Sequence, residues 1–223
     1  MKKILLTVLF LALFSFTLMS CGKKKESAKD NKEQSTEDME GEQGNPMEKL
    51  DVCIGPSPET MDPALNSAAD AANMILHAFT GLLTVDKNQN IVGGLAEKWE
   101  TSEDGLTWTF HLRPDLKWSD GSDLTAEDFV YSWKRLADPS LAAPYGYDLL
   151  NMIEGYDKAA NGDLDALAVS APDSSTFVVK LSNPCTYFDK IASFISTSPV
   201  QKATVEENGD EWSTKPETYI TSG

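Results

Sequence analysis

The sequence predicts an α/β chain in which short strands alternate with helices around one aromatic core. Three observations carry this reading. Residues 105–136 change from a two-residue to a helical repeat within one block. Shorter changes of the same kind recur between residues 82 and 208. Hydrophobic residues make up 41% of the 223, enough for a sizeable core.

The block at 105–136 reads G-L-T-W-T-F-H-L-R-P-D-L-K-W-S-D-G-S-D-L-T-A-E-D-F-V-Y-S-W-K-R-L. Leu106, Trp108, Phe110 and Leu112 alternate with Thr107, Thr109 and His111, which predicts a strand with one buried face. Pro114 ends the strand because it has no N–H for a ladder. Trp118-Ser119-Asp120-Gly121 predicts a tight turn, with Gly121 free to take positive φ. Thr125 with Asp128 three residues on resembles a capping box. Phe129, Val130, Trp133 and Leu136 share one helical face, and Asp138-Pro139 stops the helix. Trp108, Trp118 and Trp133 are expected in one core, with Trp133 against Phe110 or Trp108. Trp99, Trp108, Trp118 and Trp133 would also suit a sugar-stacking platform, but their period-2 and i,i+4 placement favours packing.

The remaining elements follow in order. Residues 50–55 read as a short apolar strand, and Pro56-Ser57-Pro58 with Asp62-Pro63 as an extended, turn-rich passage. Residues 68–80 read as a helix with Met74, Ile75, Ala78 and Phe79 on one face and Gly81 as its C-cap. Strands are expected at 82–85 and 91–92 around a turn at 86–90. Residues 96–101 should pair with 106–113 through Ser102-Glu103-Asp104-Gly105. One helix is expected over 149–160, and a short helical turn over 163–167. Residues 168–171 and 176–181 should form a hairpin around Pro172-Asp173-Ser174-Ser175, and two further helices are expected at 187–194 and 200–208.

Composition narrows the function. A formal charge of −16 is a poor match for nucleic acid, which needs a basic face. Lys2-Lys3 followed by an apolar run to Met19 reads as a targeting segment, shorter than most membrane spans. Leu18-Met19-Ser20-Cys21 resembles the lipobox of bacterial lipoproteins, which implies cleavage before Cys21 and its acylation; two or more chains anchor a protein stably where one does not. The alternative is an ordinary signal peptide or a short membrane anchor. Losing Met1–Ser20 removes two lysines and no acid, taking the charge from −16 to −18. Residues 21–49 are polar and charged, and read as a disordered acidic tether.

Catalytic signals are sparse. G-x-S-x-G, H-E-x-x-H and G-x-x-x-x-G-K-[ST] do not occur. Glu127-Asp128 and Glu206-Glu207 are helix neighbours that do not face a common substrate. Asp120 and Gly121 look like a binding loop, yet a structural turn explains both. Metal-type spacing is missing, and only His77 and His111 would add ligands; no metal or cofactor is expected. Cys53 and Cys185 would pair in an oxidising compartment or pack as two buried free thiols, and the second reading is favoured.

The run F-H-L-R-P-D-L-K-W-S-D-G-S-D-L-T-A-E-D-F-V-Y-S-W-K-R-L-A-D-P closely resembles the signature block of the family 5 extracellular solute-binding proteins. These are the oligopeptide, dipeptide and nickel receptors of ABC importers. The likeness continues upstream in Glu59-Thr60-Met61-Asp62-Pro63, Gly81-Leu82-Leu83 and Leu95-Ala96-Glu97-Lys98-Trp99-Glu100. Downstream it includes Pro144-Tyr145, the strand 176–181, Pro199-Val200 and Thr221-Ser222-Gly223. It covers residues 50–223. It implies an α/β fold: a periplasmic-binding-protein type II-like lobe with an inserted α+β subdomain, incomplete because the second lobe is missing. Residues 50–80 and 197–223 would belong to the main lobe and 81–196 to the insertion. In this family the chain runs on for several hundred residues, so the sequence reads as the N-terminal part of a receptor.

The resemblance also implies a function: an extracytoplasmic lipoprotein that captures peptides for an ABC importer and is not an enzyme. Its partners would be a peptide, the permease and ATPase subunits, and the outer face of the cytoplasmic membrane through Cys21; it would act as a monomer, without nucleic acid. Ser67, Ala68 and Ala69 match the segment that offers backbone groups to the peptide, and Tyr145 matches a ligand-contacting tyrosine. A packed aromatic beside a proline turn is the other reading of Tyr145. The alternatives are a receptor of the same build for nickel, haem or a sugar, or a truncated surface lipoprotein that binds no solute.

Overall fold

The computed structural model describes Cys53 and residues 55–223. The signal segment, Cys21, the tether and most of the expected strand at 50–55 lie outside the described residues. The described residues fall within one compact unit. No helix among the described residues is long and apolar enough to cross a membrane.

Its centre is a four-stranded antiparallel sheet. In chain order the strands are β3 (Ala96–Thr101), β4 (Thr107–Leu112), β5 (Val169–Asp173) and β6 (Thr176–Lys180), arranged β3-β4-β6-β5. A separate hairpin joins β1 (Leu83–Val85) to β2 (Ile91–Gly93). β4 follows its sequence pattern: Trp108, Phe110 and Leu112 are buried, while Thr107, Thr109 and His111 stay half-exposed. Phe110 lies opposite Phe177 on β6 and Trp108 opposite Val179, so the central pair is apolar on its inner face. The outer face is polar, where His111 meets Glu100 of β3 at 3.5 Å.

Helix α2 (Ala126–Ala137) covers that inner face; helix α1 precedes β1 and is described below. The N-terminus of α2 is a capping box. Thr125 N–H donates to Asp128 Oδ2 at 2.8 Å, while the Thr125 side chain accepts from the Asp128 backbone. Burial pushes the Asp128 carboxyl above its ordinary range, against the opposing pull of the Thr125 hydrogen bonds. Phe129, Trp133 and Leu136 are buried, and Val130 lies at the margin. Trp108, Trp118 and Trp133 share the core, as the spacing predicts. The immediate partners of Trp133 differ from expectation. Its ring meets Phe177 edge-on at 5.2 Å and Phe188 at 6.0 Å, not Phe110 or Trp108. Phe177 stands between them, packed on Phe110 from its other side at 6.3 Å.

Helix α1 (Ala69–Ala78) buries Ala71 and Ile75, with Phe79 continuing the stripe. Met74, expected on that face, is 37% exposed. The helix also ends earlier than Gly81. Phe79 turns extended at φ −124°, its N–H donates to Ile75 O at 2.8 Å, and its ring packs on Trp212 and Tyr219. Gly81 instead sits at a close backbone crossing. Its carbonyl accepts Leu95 N–H at 2.9 Å, and a Cβ on Gly94 would come within 2.5 Å of that oxygen.

The single helix expected over 149–160 is two short ones, α3 (Gly146–Leu150) and α4 (Tyr156–Ala159). Gly155 separates them with φ +83°, and a Cβ there would lie 1.8 Å from Ala166 O. The chain must therefore turn where the sequence pattern reads through. The last helices are α5 (Phe188–Ala192) and α6 (Lys202–Asn208), the latter followed by Gly209 at φ +54°.

Both cysteines among the described residues are free, but neither is buried: Cys53 is exposed and Cys185 half-buried. The expectation of two buried thiols is corrected: Cys53 meets solvent, and Cys185 packs against the core while staying partly exposed. Asp120 belongs to a structural turn, accepting from Ser122 N–H at 2.8 Å and from Gln201 Nε2 at 2.9 Å.

Residues 60–66 and 197–223 meet each other and α2. Asp62 is 2% exposed and accepts from Arg135 Nη1 and Nη2 at 3.2 and 2.6 Å. It also accepts from Trp212 Nε1 at 3.2 Å and Ala64 N–H at 2.9 Å. Tyr219 donates its hydroxyl to Met61 O at 3.0 Å, and burial, then the Asp62 charge, hold its phenol well above the usual range. Further along, Ser222 Oγ accepts Thr80 N–H at 3.0 Å and Gly223 N–H donates to Ala78 O at 3.1 Å.

Candidate ligand groove

All four residues expected at a ligand line one groove of about 570 Å³. It is bordered by Asn66, Ser67, Ala68, Ala69, Ala72 and Leu76 on one side, and by Thr84 and Val85 of β1. Tyr145 and Ser193-Phe194-Ile195 complete it. Four stretches distant in sequence thus converge on one concave surface.

Each stretch is held for a physical reason. Asn66 is 4% exposed, and its Oδ1 accepts Ala68 N–H at 3.1 Å. This side-chain turn lifts Ser67, Ala68 and Ala69 to the surface, where all three are exposed. Ala68 is extended, at φ −116° and ψ 145°, just before α1 begins, and its own side chain makes no cap bond, while the Asp70 carboxylate accepts Ala71 N–H at 2.8 Å. An alanine stands where Ser, Thr, Asp or Asn would normally occupy the first backbone donors. Extended, exposed backbone at this position suits main-chain pairing with an extended ligand.

Tyr145 stands at the start of α3 with φ −106° and ψ 6°. It is half-buried, and its ring meets Phe194 edge-on at 5.4 Å. Tyr145 thus packs on one edge, as the packing reading expects, and also lines the groove. Sequence reasoning did not single out Leu76, Val85, Phe194 or Ile195. One signal was available. Leu76 is a bulky apolar residue off the Ala71–Ile75–Phe79 stripe of α1, and it is 57% exposed.

Other concavities carry less. One of about 670 Å³ runs along α2 past Lys134, Arg135, Asp163 and Asp210, where Arg135 is occupied by Asp62 and Lys134 pairs with Asp165 at 2.7 Å. Another lies over the Trp118–Asp128 turn, and a small one near Gly155. No group of three or more His, Cys, Asp or Glu side chains suited to a metal occurs among the described residues.

Comparison with known proteins is consistent with this architecture. Residues 90–223 match the model of the bacterial extracellular solute-binding proteins, family 5 middle region. The chain belongs to this family. Among family 5 relatives, the periplasmic oligopeptide-binding protein OppA of Salmonella typhimurium is 44% identical over 172 residues. That match covers 76% of this chain and 31% of the relative. An Escherichia coli relative with the name "Probable deoxycholate-binding periplasmic protein YgiS" is 37% identical over 169 residues, 74% of this chain and 31% of its own. Haemophilus influenzae OppA, solved in complex with RPPGFSPFR, superposes with a TM-score of 0.71 at 38% identity, over 75% of this chain and 33% of that one. The chain thus spans about a third of the length of these relatives, and over the superposed span its fold is that of the Haemophilus influenzae protein.

Proposed function

We propose that this chain is part of an extracytoplasmic substrate-binding lipoprotein that captures peptides for an ABC importer. The observation that carries the proposal is the convergence of Ser67, Ala68, Ala69 and Tyr145 on one groove from segments far apart in sequence. Main-chain pairing at Ser67–Ala69 is indifferent to peptide sequence, as a transport receptor requires. In this reading residues 55–80 and 197–223 form part of the main lobe and 81–196 its insertion. The protein is not an enzyme and acts as a monomer. Permease and ATPase subunits are its transport partners, and adjacent genes for two permeases and two ATPases would support that assignment.

The chain supplies one wall of the ligand site. Each hydrogen bond contributes about 0.5–1.5 kcal/mol net, and association costs about 4 kcal/mol or more in lost freedom. Binding by this chain alone is expected at millimolar affinity or weaker. The test is a titration of the ¹⁵N-labelled chain with trialanine. Amide shifts at Ser67, Ala68, Ala69 and Tyr145 in the millimolar range are expected. Unmoved resonances there would sink the reading, and micromolar affinity by calorimetry would show a complete site and overturn the one-wall assignment.

The anchor is a separate proposal, resting on Leu18-Met19-Ser20-Cys21. Cys21→Ala should leave the precursor uncut and unlabelled by radioactive palmitate. Palmitate label on the variant equal to that on wild type would rule out acylation at Cys21.

A further inference from the structure

We infer that the groove selects an uncharged, bulky apolar side chain of the bound peptide, an inference that rests on the peptide-receptor reading above. The groove continues from Ser67–Ala69 and Tyr145 across Leu76, Val85 and Phe194, which are 57%, 50% and 39% exposed. These are three of only six large hydrophobic residues left exposed among the described residues. They come from α1, β1 and the turn after α5, so their meeting on one surface follows from the fold and from no single amphipathic element.

None of the twelve lining residues is charged, although 24% of the whole chain is. A lysine or glutamate side chain seated here would give up water and meet no counter-charge in the lining. A leucine or phenylalanine side chain would cover Leu76, Val85 and Phe194 and lose nothing polar. The wall is also held in place on one side, because Phe194 is braced edge-on by Tyr145 at 5.4 Å. The occupant is therefore the side chain of a peptide whose main chain pairs at Ser67–Ala69. Backbone pairing provides attachment, and the apolar wall provides preference.

The test compares Ala-Phe-Ala, Ala-Leu-Ala, Ala-Lys-Ala and Ala-Glu-Ala in amide titrations of the full chain. The first two are expected to move Leu76, Val85 and Phe194 resonances at about tenfold lower concentration than the last two. Val85→Lys, at an exposed position outside the core, is expected to move Ala-Glu-Ala ahead of Ala-Lys-Ala. Equal response to all four peptides would overturn the side-chain preference while leaving peptide capture standing. An unchanged order in Val85→Lys would overturn it as well. If no peptide moves these resonances, the side-chain preference falls; peptide capture falls with it only if Ser67, Ala68, Ala69 and Tyr145 are unmoved as well, and deoxycholate moving them instead would assign the groove to a small amphiphile.

Discussion

Asp62→Ala is expected to destabilise the chain by about 3–5 kcal/mol, the usual cost of removing one partner from a buried ion pair. Asp62 is 2% exposed and accepts four hydrogen bonds, two of them from Arg135. Without it, the guanidinium and the Trp212 N–H lose their acceptor in a region closed by Trp212 and Tyr219. The Arg135 side chain is 13% exposed, so water can reach part of it, which places the cost toward the lower end of that range. Against a total stability of about 5–15 kcal/mol the loss is large. Urea unfolding reads it directly. Removing both charges together, in Asp62→Leu with Arg135→Met, should cost less than Asp62→Ala alone, because no charge is then left unpaired. A change below about 1 kcal/mol for Asp62→Ala would mean that the pair behaves as a solvated surface bridge.

Trp133→Ala should have an effect of similar size, for a different reason. The side chain is fully buried, and truncating a buried Trp costs about 3–5 kcal/mol through lost transfer energy and the cavity left behind. That corresponds to roughly 6–20 °C in melting temperature for a chain of this size. The cavity would open between α2, β6 and α5, because Phe177 and Phe188 are the rings it touches. Trp133 Nε1 also donates to Thr197 O at 3.1 Å, which ties α2 to the segment after α5. Trp133→Phe keeps most of the volume and loses that hydrogen bond, so it should fall between wild type and Trp133→Ala, about 1–3 kcal/mol down. Melting of Trp133→Ala within a degree or two of wild type would show that the residue is not part of the core.

The candidate site was partly legible in advance. Ser67, Ala68, Ala69 and Tyr145 came from resemblance, residue by residue, and they line one groove. Nothing in their local pattern announces a site: three small residues at the start of a helix and a tyrosine after a proline are common surface chemistry. Leu76, Val85 and Phe194 were harder still. Each reads as an element residue of its own segment, and exposure is what distinguishes it from core. Exposure depends on what lies opposite in space, which a one-dimensional repeat does not encode. The same holds for Asp62. Its motif was recognised, but its partners Arg135 and Trp212 are 73 and 150 residues away.

By itself the sequence determined most of the local elements of this protein and the buried faces of its central strand and helix. The two-residue repeat of β4, the capping box of α2 and the turns at Asp104-Gly105 and Asp120-Gly121 depend on neighbours within a few residues, where sterics and hydrogen bonding act at short range. Only the tertiary structure decided what those faces meet. The pairing of β6 beside β4 puts Phe177 between Trp133 and Phe110, and α5 brings Phe188 to the same ring. The approach of Ala166 O to Gly155 breaks a helix that its own sequence would continue. The groove exists because α1, β1, Tyr145 and the turn after α5 close on one another. A periodic pattern states that a face is buried; packing at van der Waals density, among residues far apart in the chain, selects its partner.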